Sequence, residues 1–137
     1  MDFSSLIAAA VAARNSAYAP YSKFQVGAAL LTESGEVFSG CNVENASYGL
    51  TNCAERTAVF KAVSEGHTKF TAIAISVPGA GSPCGACRQV LNEFNPQLKV
   101  IITDGAGNNI RETSVDELLP EAFGPGNLSP SSTPPQS

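Results

Sequence analysis

The sequence has no apolar run approaching the roughly 20 residues that a membrane-spanning helix needs, so no partnership with a membrane is expected. Its N-terminus lacks the charged-then-apolar layout of a secretory signal, which points to a soluble, cytoplasmic protein. Basic residues are scarce: eight Lys and Arg stand against twelve Asp and Glu, for a net charge of -4. That sign is wrong for gripping a phosphate backbone, and no nucleic-acid partner is expected. Histidine is scarcer still, with one residue, His67, in a Gly66-His67-Thr68-Lys69 connection that reads as a solvated loop.

What is present suffices for one compact domain. The 137 residues are 43% hydrophobic, enough to build a core without disulfide staples. From Gly124 onward the chain is Gly, Pro, Ser and Thr with almost nothing to bury, so residues 1–123 are assigned to the domain and 124–137 to a disordered tail.

Apolar periodicity sets out the elements. Residues 4–17 are alanine-rich, with Leu6, Ile7, Ala10 and Val11 on one helical face, and stop before Pro20. Residues 25–32 and 37–42 read as strands joined by the turn at 33–36, hence a hairpin. A polar loop follows, and then residues 53–65 read as a helix with Ala54, Ala58, Val59, Ala62 and Val63 inward and Gly66 as its stop. Residues 70–77 are β-branched and apolar, a buried strand. Ser82 is placed to cap the next helix and Pro83 to occupy its first turn, so that this helix runs over 84–94. Residues 99–103 and 110–113 are strands around a turn at 104–107, and 114–119 a short helix. Strands alternating with helices predict an α/β layered domain, and the hairpin makes its sheet mixed. The segments that begin with Cys53 and Cys84 both follow strands, which should bring their first turns to one edge of the sheet.

Four cysteines in a chain expected to be intracellular are free or metal-bound thiols before they are disulfides. Cys84 and Cys87 form a Cys-x-x-Cys pair that, alone, fits a redox couple or half a structural zinc site equally well. Cys53 supplies a third ligand at another helix start, where free N–H groups and the positive dipole end favour thiolate. Zinc takes four ligands, and three thiolates leave one position open, as in a catalytic site. Cys41 is the only further thiol, and it reads as a small hydrophobe packed in its strand.

Glu55, two residues after Cys53, has two readings. Asn52-x-x-Glu55 resembles a capping box, in which Glu55 would bond back to the helix start. Beside a three-thiolate zinc with an open position, a carboxylate is also the group needed to take a proton from water and return it. Three thiolates on a divalent ion sum to -1, which works against ionising that water. A neighbouring cation would offset the charge, and Arg56 and Arg88 each directly follow a site residue, so that one or both would donate to the thiolates; the alternative is a surface arginine, which fits Arg88 equally well.

Cys53-Ala54-Glu55 with Pro83-Cys84-Gly85-Ala86-Cys87 resembles the zinc deaminase signature, whose chemistry is well described. Gly40-Cys41-Asn42-Val43-Glu44-Asn45-Ala46-Ser47-Tyr48-Gly49 is similar to a stretch of the small homotetrameric cytidine deaminases that act on free nucleosides, and the similarity runs from about Arg14 to Phe123. The commoner His-x-Glu is Cys-x-Glu here, as in that tetrameric branch. The resemblance implies a three-layer α/β/α fold with a mixed five-stranded sheet, one zinc ion per chain and deamination of cytidine and deoxycytidine. It further implies that Asn42 and Glu44 bind the ribose, Phe24 packs on the base and Ala54 orients it through its backbone. Arg56 would compensate the extra thiolate, and Ala46, Tyr48 and Phe123 would complete a neighbour's pocket in a homotetramer. Two other readings remain open: a deaminase of another cytosine-containing molecule, and a non-enzymatic domain closed around zinc by four cysteines.

Overall fold

In a computed structural model, which describes residues 2–128, the elements follow the order anticipated above. Helix α1 (Ser4–Ala13) continues into a single 3-10 turn at Arg14–Ser16. Strands β1 (Gly27–Thr32) and β2 (Val37–Cys41) form the hairpin, and α2 (Ala54–Ser64) leads to β3 (Phe70–Ser76). After α3 (Gly85–Phe94) come β4 (Lys99–Thr103), β5 (Arg111–Ser114) and the short α4 (Val115–Leu118).

The five strands lie in the order β2-β1-β3-β4-β5. Only β3 and β4 pair in parallel, whereas β1 is antiparallel to both of its neighbours and β5 to β4. The sheet is mixed, as expected. Because β1 runs against both β2 and β3, those two strands point the same way, and the chain leaves each at the same edge before entering α2 or α3.

Period-two alternation divides the core between the two faces. Ala29, Ala72, Ala74 and Ile101 face α1, where they meet Leu6 and Ala10. Leu30, Ile73, Ile75, Val100 and Ile102 face the other way, against Ala58, Val59 and Ala62 of α2 and Leu91 of α3. The result is three layers, α/β/α. Small residues set the spacing. A Cβ on Gly27 would lie 2.0 Å from the Ala10 carbonyl oxygen, and one on Gly40 would lie 2.5 Å from the Ala58 nitrogen, so α1 and α2 rest directly on sheet backbone at those points. The contact at Gly40 fixes how near α2, and with it Glu55, approaches the sheet.

Three local expectations need correction. Ser82 does not cap α3 and Pro83 is not in its first turn. Cys84, with extended backbone, is the N-cap, and its carbonyl accepts the first helical bond from the Arg88 N–H at 3.0 Å. Nor is there a capping box at α2, where Cys53 is the N-cap and Asn52 Nδ2 instead donates to Thr57 Oγ1 at 3.0 Å. The physical reason is shared: the cysteine backbones themselves turn into the helices, leaving the polar neighbours free for other bonds. Third, of the residues assigned to a disordered tail, 129–137 lie outside the described residues, while Pro125–Asn127 form a 3-10 turn closed by a bond from the Gly124 N–H to Asn127 Oδ1 at 2.7 Å.

Candidate active site

Both cysteine-capped helices begin without a side chain bonded to their first-turn N–H groups. Those donors and the positive dipole ends therefore face sulfur, the arrangement that favours thiolate. The sulfurs of Cys53, Cys84 and Cys87 all lie within 4.8 Å of one another, with 4.0 Å between Cys53 and Cys84 and 3.4 Å between Cys84 and Cys87. None is disulfide-bonded. Four-coordinate zinc with bonds near 2.3 Å sets neighbouring sulfurs about 3.8 Å apart, so these spacings bracket what the ion requires. Among the described residues this is the only cluster of three such groups; Cys41 stays in β2 opposite Gly27, and His67 pairs with Glu36 at 3.3 Å.

Charge supports the same conclusion. A hydrogen bond from Cys87, reinforced by Arg56, pulls the Cys53 thiol down to about 5. Cys87 is pushed far up, chiefly by holding the proton that it gives to Cys53 and then by burial. The cluster thus accommodates a thiolate at Cys53 while holding Cys87 protonated, and a divalent cation is what lets the three ionise together. The donor set fits zinc.

Arg56 Nη2 donates to Cys53 Sγ at 3.2 Å, as anticipated, and its buried Nε has no partner among the described residues. Arg88 behaves differently from expectation. It reaches no sulfur; Nε donates to the Pro83 carbonyl at 2.7 Å, Nη1 to the Leu118 carbonyl at 2.7 Å and Nη2 to Ser82 Oγ at 3.1 Å. Its position in the first turn of α3 directs the guanidinium back along the incoming chain and away from the cluster.

Glu55 is 5% exposed, and burial raises its carboxyl to about 7. It lines a cavity of about 450 Å³ together with Cys53 and Cys84. Its lining combines apolar residues, Phe24, Val26, Ala54, Val77 and Pro83, with polar ones, Ser22, Asn42, Glu44 and Thr51. A flat ring with a hydroxylated appendage matches that combination. Asn42 Oδ1 accepts from the Val26 N–H at 2.9 Å and Nδ2 donates to the Phe24 carbonyl at 2.7 Å, leaving one amide hydrogen unspent. Glu44 Oε1 accepts from the N–H groups of Tyr21 at 3.0 Å and Ser22 at 3.1 Å, and Oε2 from the Ser22 hydroxyl. Those bonds, the Ser22 hydroxyl first, hold its carboxyl below the usual range.

Phe24, Asn42, Glu44 and Ala54 therefore lie around the cavity, whereas Ala46, Tyr48 and Phe123 do not line it. Tyr48 is 79% and Phe123 57% exposed. Sequence reasoning missed Ser22, Val26, Thr51 and Val77 as lining residues. Phe24 and Val26, two apart just before β1, were the available signal, since alternate residues of an extended chain share a face, whereas Ser22 lies in a turn followed by Lys23 at φ 62°.

Comparison with known proteins agrees with this geometry. Residues 2–103 match the family model for the cytidine and deoxycytidylate deaminase zinc-binding region. A cytidine deaminase of Sporosarcina psychrophila is 54% identical over 132 residues, covering 94% of this chain and 96% of that protein, and one of Halalkalibacterium halodurans is 54% identical over 125 residues, covering 90% and 95%. The crystal structure of cytidine deaminase from Burkholderia pseudomallei superposes with a TM-score of 0.86 at 55% identity, covering 90% of this chain and all of that one. With its sheet, its cysteine cluster and its buried glutamate arranged as described, the chain belongs to the zinc-binding cytidine and deoxycytidylate deaminase family.

Proposed function

We propose that the protein hydrolyses cytidine and deoxycytidine to uridine and deoxyuridine with release of ammonia, as a cytoplasmic enzyme of pyrimidine salvage. The observation that carries this reading is the buried Glu55 carboxyl, raised to about 7, in one cavity with the sulfur cluster. A carboxyl poised near neutrality both accepts and returns a proton at working pH.

Cys53, Cys84 and Cys87 would hold one zinc per chain, and the ion's chemistry is to lower the pKa of water to near neutrality. Glu55 takes the proton that the attacking water loses as it adds to the amine-bearing ring carbon. It passes that proton to the adjacent ring nitrogen, and carries a second proton to the departing amine, so one water is consumed for each ammonia released. Phe24 and Val26 flank the pyrimidine, the Ala54 backbone orients it, and Asn42 and Glu44 bind sugar hydroxyls. The Glu44 carboxylate, kept ionised by its donors, repels a 5′-phosphate, which favours nucleoside over nucleotide. Arg56 balances the third thiolate. The exposed Ala46, Tyr48 and Phe123 suit a homotetramer in which each chain completes a neighbour's cavity.

Two measurements test the proposal: zinc per chain, and the ultraviolet loss on adding cytidine, compared with deoxycytidine, CMP and free cytosine. The expected result is one zinc and turnover of the two nucleosides. Absence of zinc, or rates on CMP or cytosine matching those on cytidine, would overturn it.

A further inference from the structure

The chain just before α3 is where the cavity wall meets the metal cluster. Ser82 and Pro83 line the cavity, and Cys84 carries its sulfur into the cluster. Positioning there must be tight, yet the backbone is unsupported. Gly81, Ser82 and Pro83 lie outside every strand and helix, and among the described residues no backbone–backbone hydrogen bond engages them. Pro83 has no N–H to give. The residue is nonetheless buried, and the one hydrogen bond its carbonyl accepts from a side chain among the described residues is part-buried.

Arg88 supplies what the backbone does not. Through Nε to the Pro83 carbonyl and Nη2 to Ser82 Oγ, it holds the two residues that precede Cys84, and through Nη1 it anchors them to the Leu118 carbonyl at the end of α4. Cys84 is thereby held from both sides, by α3 after it and by Arg88 before it. The rigid guanidinium fork satisfies three acceptors lying in different directions, which a lysine ammonium on a flexible stem does not. Arg56 and Arg88 thus divide the work: one faces sulfur, the other faces the backbone that delivers sulfur.

We propose that Arg88 is a positioning residue that clamps the Ser82–Cys84 segment, setting together the placement of the Cys84 sulfur and of the cavity wall at Ser82 and Pro83. The inference rests on the zinc deaminase reading in taking Cys84 as a ligand. Removing the fork frees one segment and so loosens metal and substrate at once, whereas a simple tether between α3 and α4 would alter only thermal stability.

The test compares zinc-loaded wild type, Arg88→Lys and Arg88→Ala in the rate at which a chromophoric chelator strips the metal. It adds the thiolate-to-metal absorption of the cobalt-substituted proteins, and kcat and KM for cytidine. Arg88→Lys is expected to lose zinc at least about tenfold faster, within the range usual for groups that orient metal ligands. Its cobalt spectrum should shift and KM should rise. Free guanidinium should restore slow stripping in Arg88→Ala, and should Arg88→Ala fail to fold, Arg88→Lys carries the test. A wild-type stripping rate and cobalt spectrum in Arg88→Lys, whatever its melting temperature, would overturn the role assigned to Arg88 alone. A wild-type protein that binds neither zinc nor cobalt would overturn the metal reading and this inference with it.

Discussion

Replacing Arg56 with glutamine removes a positive charge from the metal cluster and leaves a shorter, neutral polar side chain. The guanidinium donates to Cys53 Sγ at 3.2 Å and is the second stabiliser of that thiolate after Cys87. A charge-assisted hydrogen bond contributes about 1.5–3 kcal/mol, and because Cys53 is only half-buried, solvent screening places this one at the low end. At 1.36 kcal/mol per unit, its loss raises the Cys53 pKa by about one unit. The sign follows from charge: the cation stabilises thiolate, so removing it favours thiol and moves the transition to higher pH. From about 5 in the metal-free protein, the midpoint should move to about 6, reducing the thiolate fraction at pH 6 from about 0.9 to about 0.5. Alkylation of the apoprotein across pH, resolved by peptide mass spectrometry so that Cys53 is read apart from Cys84 and Cys87, measures this directly. In the zinc-loaded enzyme the same lost charge should lower kcat by about tenfold, because a more negative cluster makes water harder to ionise. An unchanged Cys53 midpoint together with unchanged kcat would refute the assignment of Arg56 as the compensating charge.

Glu55→Gln should keep zinc but lose about 10²–10⁴ in kcat, and substantial residual turnover by ultraviolet assay would rule out Glu55 as the proton carrier. The same substitution should stabilise the apoprotein against heat more at pH 8 than at pH 5. A carboxyl raised from 4.5 to about 7 by burial costs stability once pH exceeds its unfolded value, by up to about 3 kcal/mol above the folded one. Equal gains at the two pH values would contradict that. Cys41→Ala should leave one zinc per chain, as metal analysis will show, whereas loss of the metal would favour a closed four-cysteine site. Gly40→Ala should destabilise by about 3 kcal/mol in denaturant melts, because a Cβ there lies 2.5 Å from the Ala58 nitrogen, and a wild-type midpoint would mean that α2 can back away from the sheet.

Much of the fold was legible because its signals are local. The apolar, β-branched runs at residues 70–77 and 99–103, the alanine face of residues 4–17 and the turn at 33–36 each act over a few neighbours, and the structure forms strands, helix and hairpin there. The cysteines likewise announced a metal site, but only once Cys53 was set beside Cys84 and Cys87, a pair whose spacing alone fits a redox couple equally well. Helix starts were less legible. Ser82 and Asn52 are good caps in isolation, but their side chains find other partners, Arg88 and Thr57, that sequence distance does not reveal.

By itself, then, the sequence determined which residue types were available for the chemistry: three thiols near two helix starts, a carboxyl beside one of them, and no further histidine to take their place. Only the tertiary structure decided that Cys53 would meet Cys84 and Cys87, because that depends on β2 and β3 running in the same direction beneath α2 and α3. The structure also divided the two arginines, which follow their site residues in the same way along the chain. Helix orientation turns Arg56 toward sulfur and Arg88 toward the Pro83 carbonyl, and a side chain's direction at a helix start is set by what packs around it rather than by its place in the sequence.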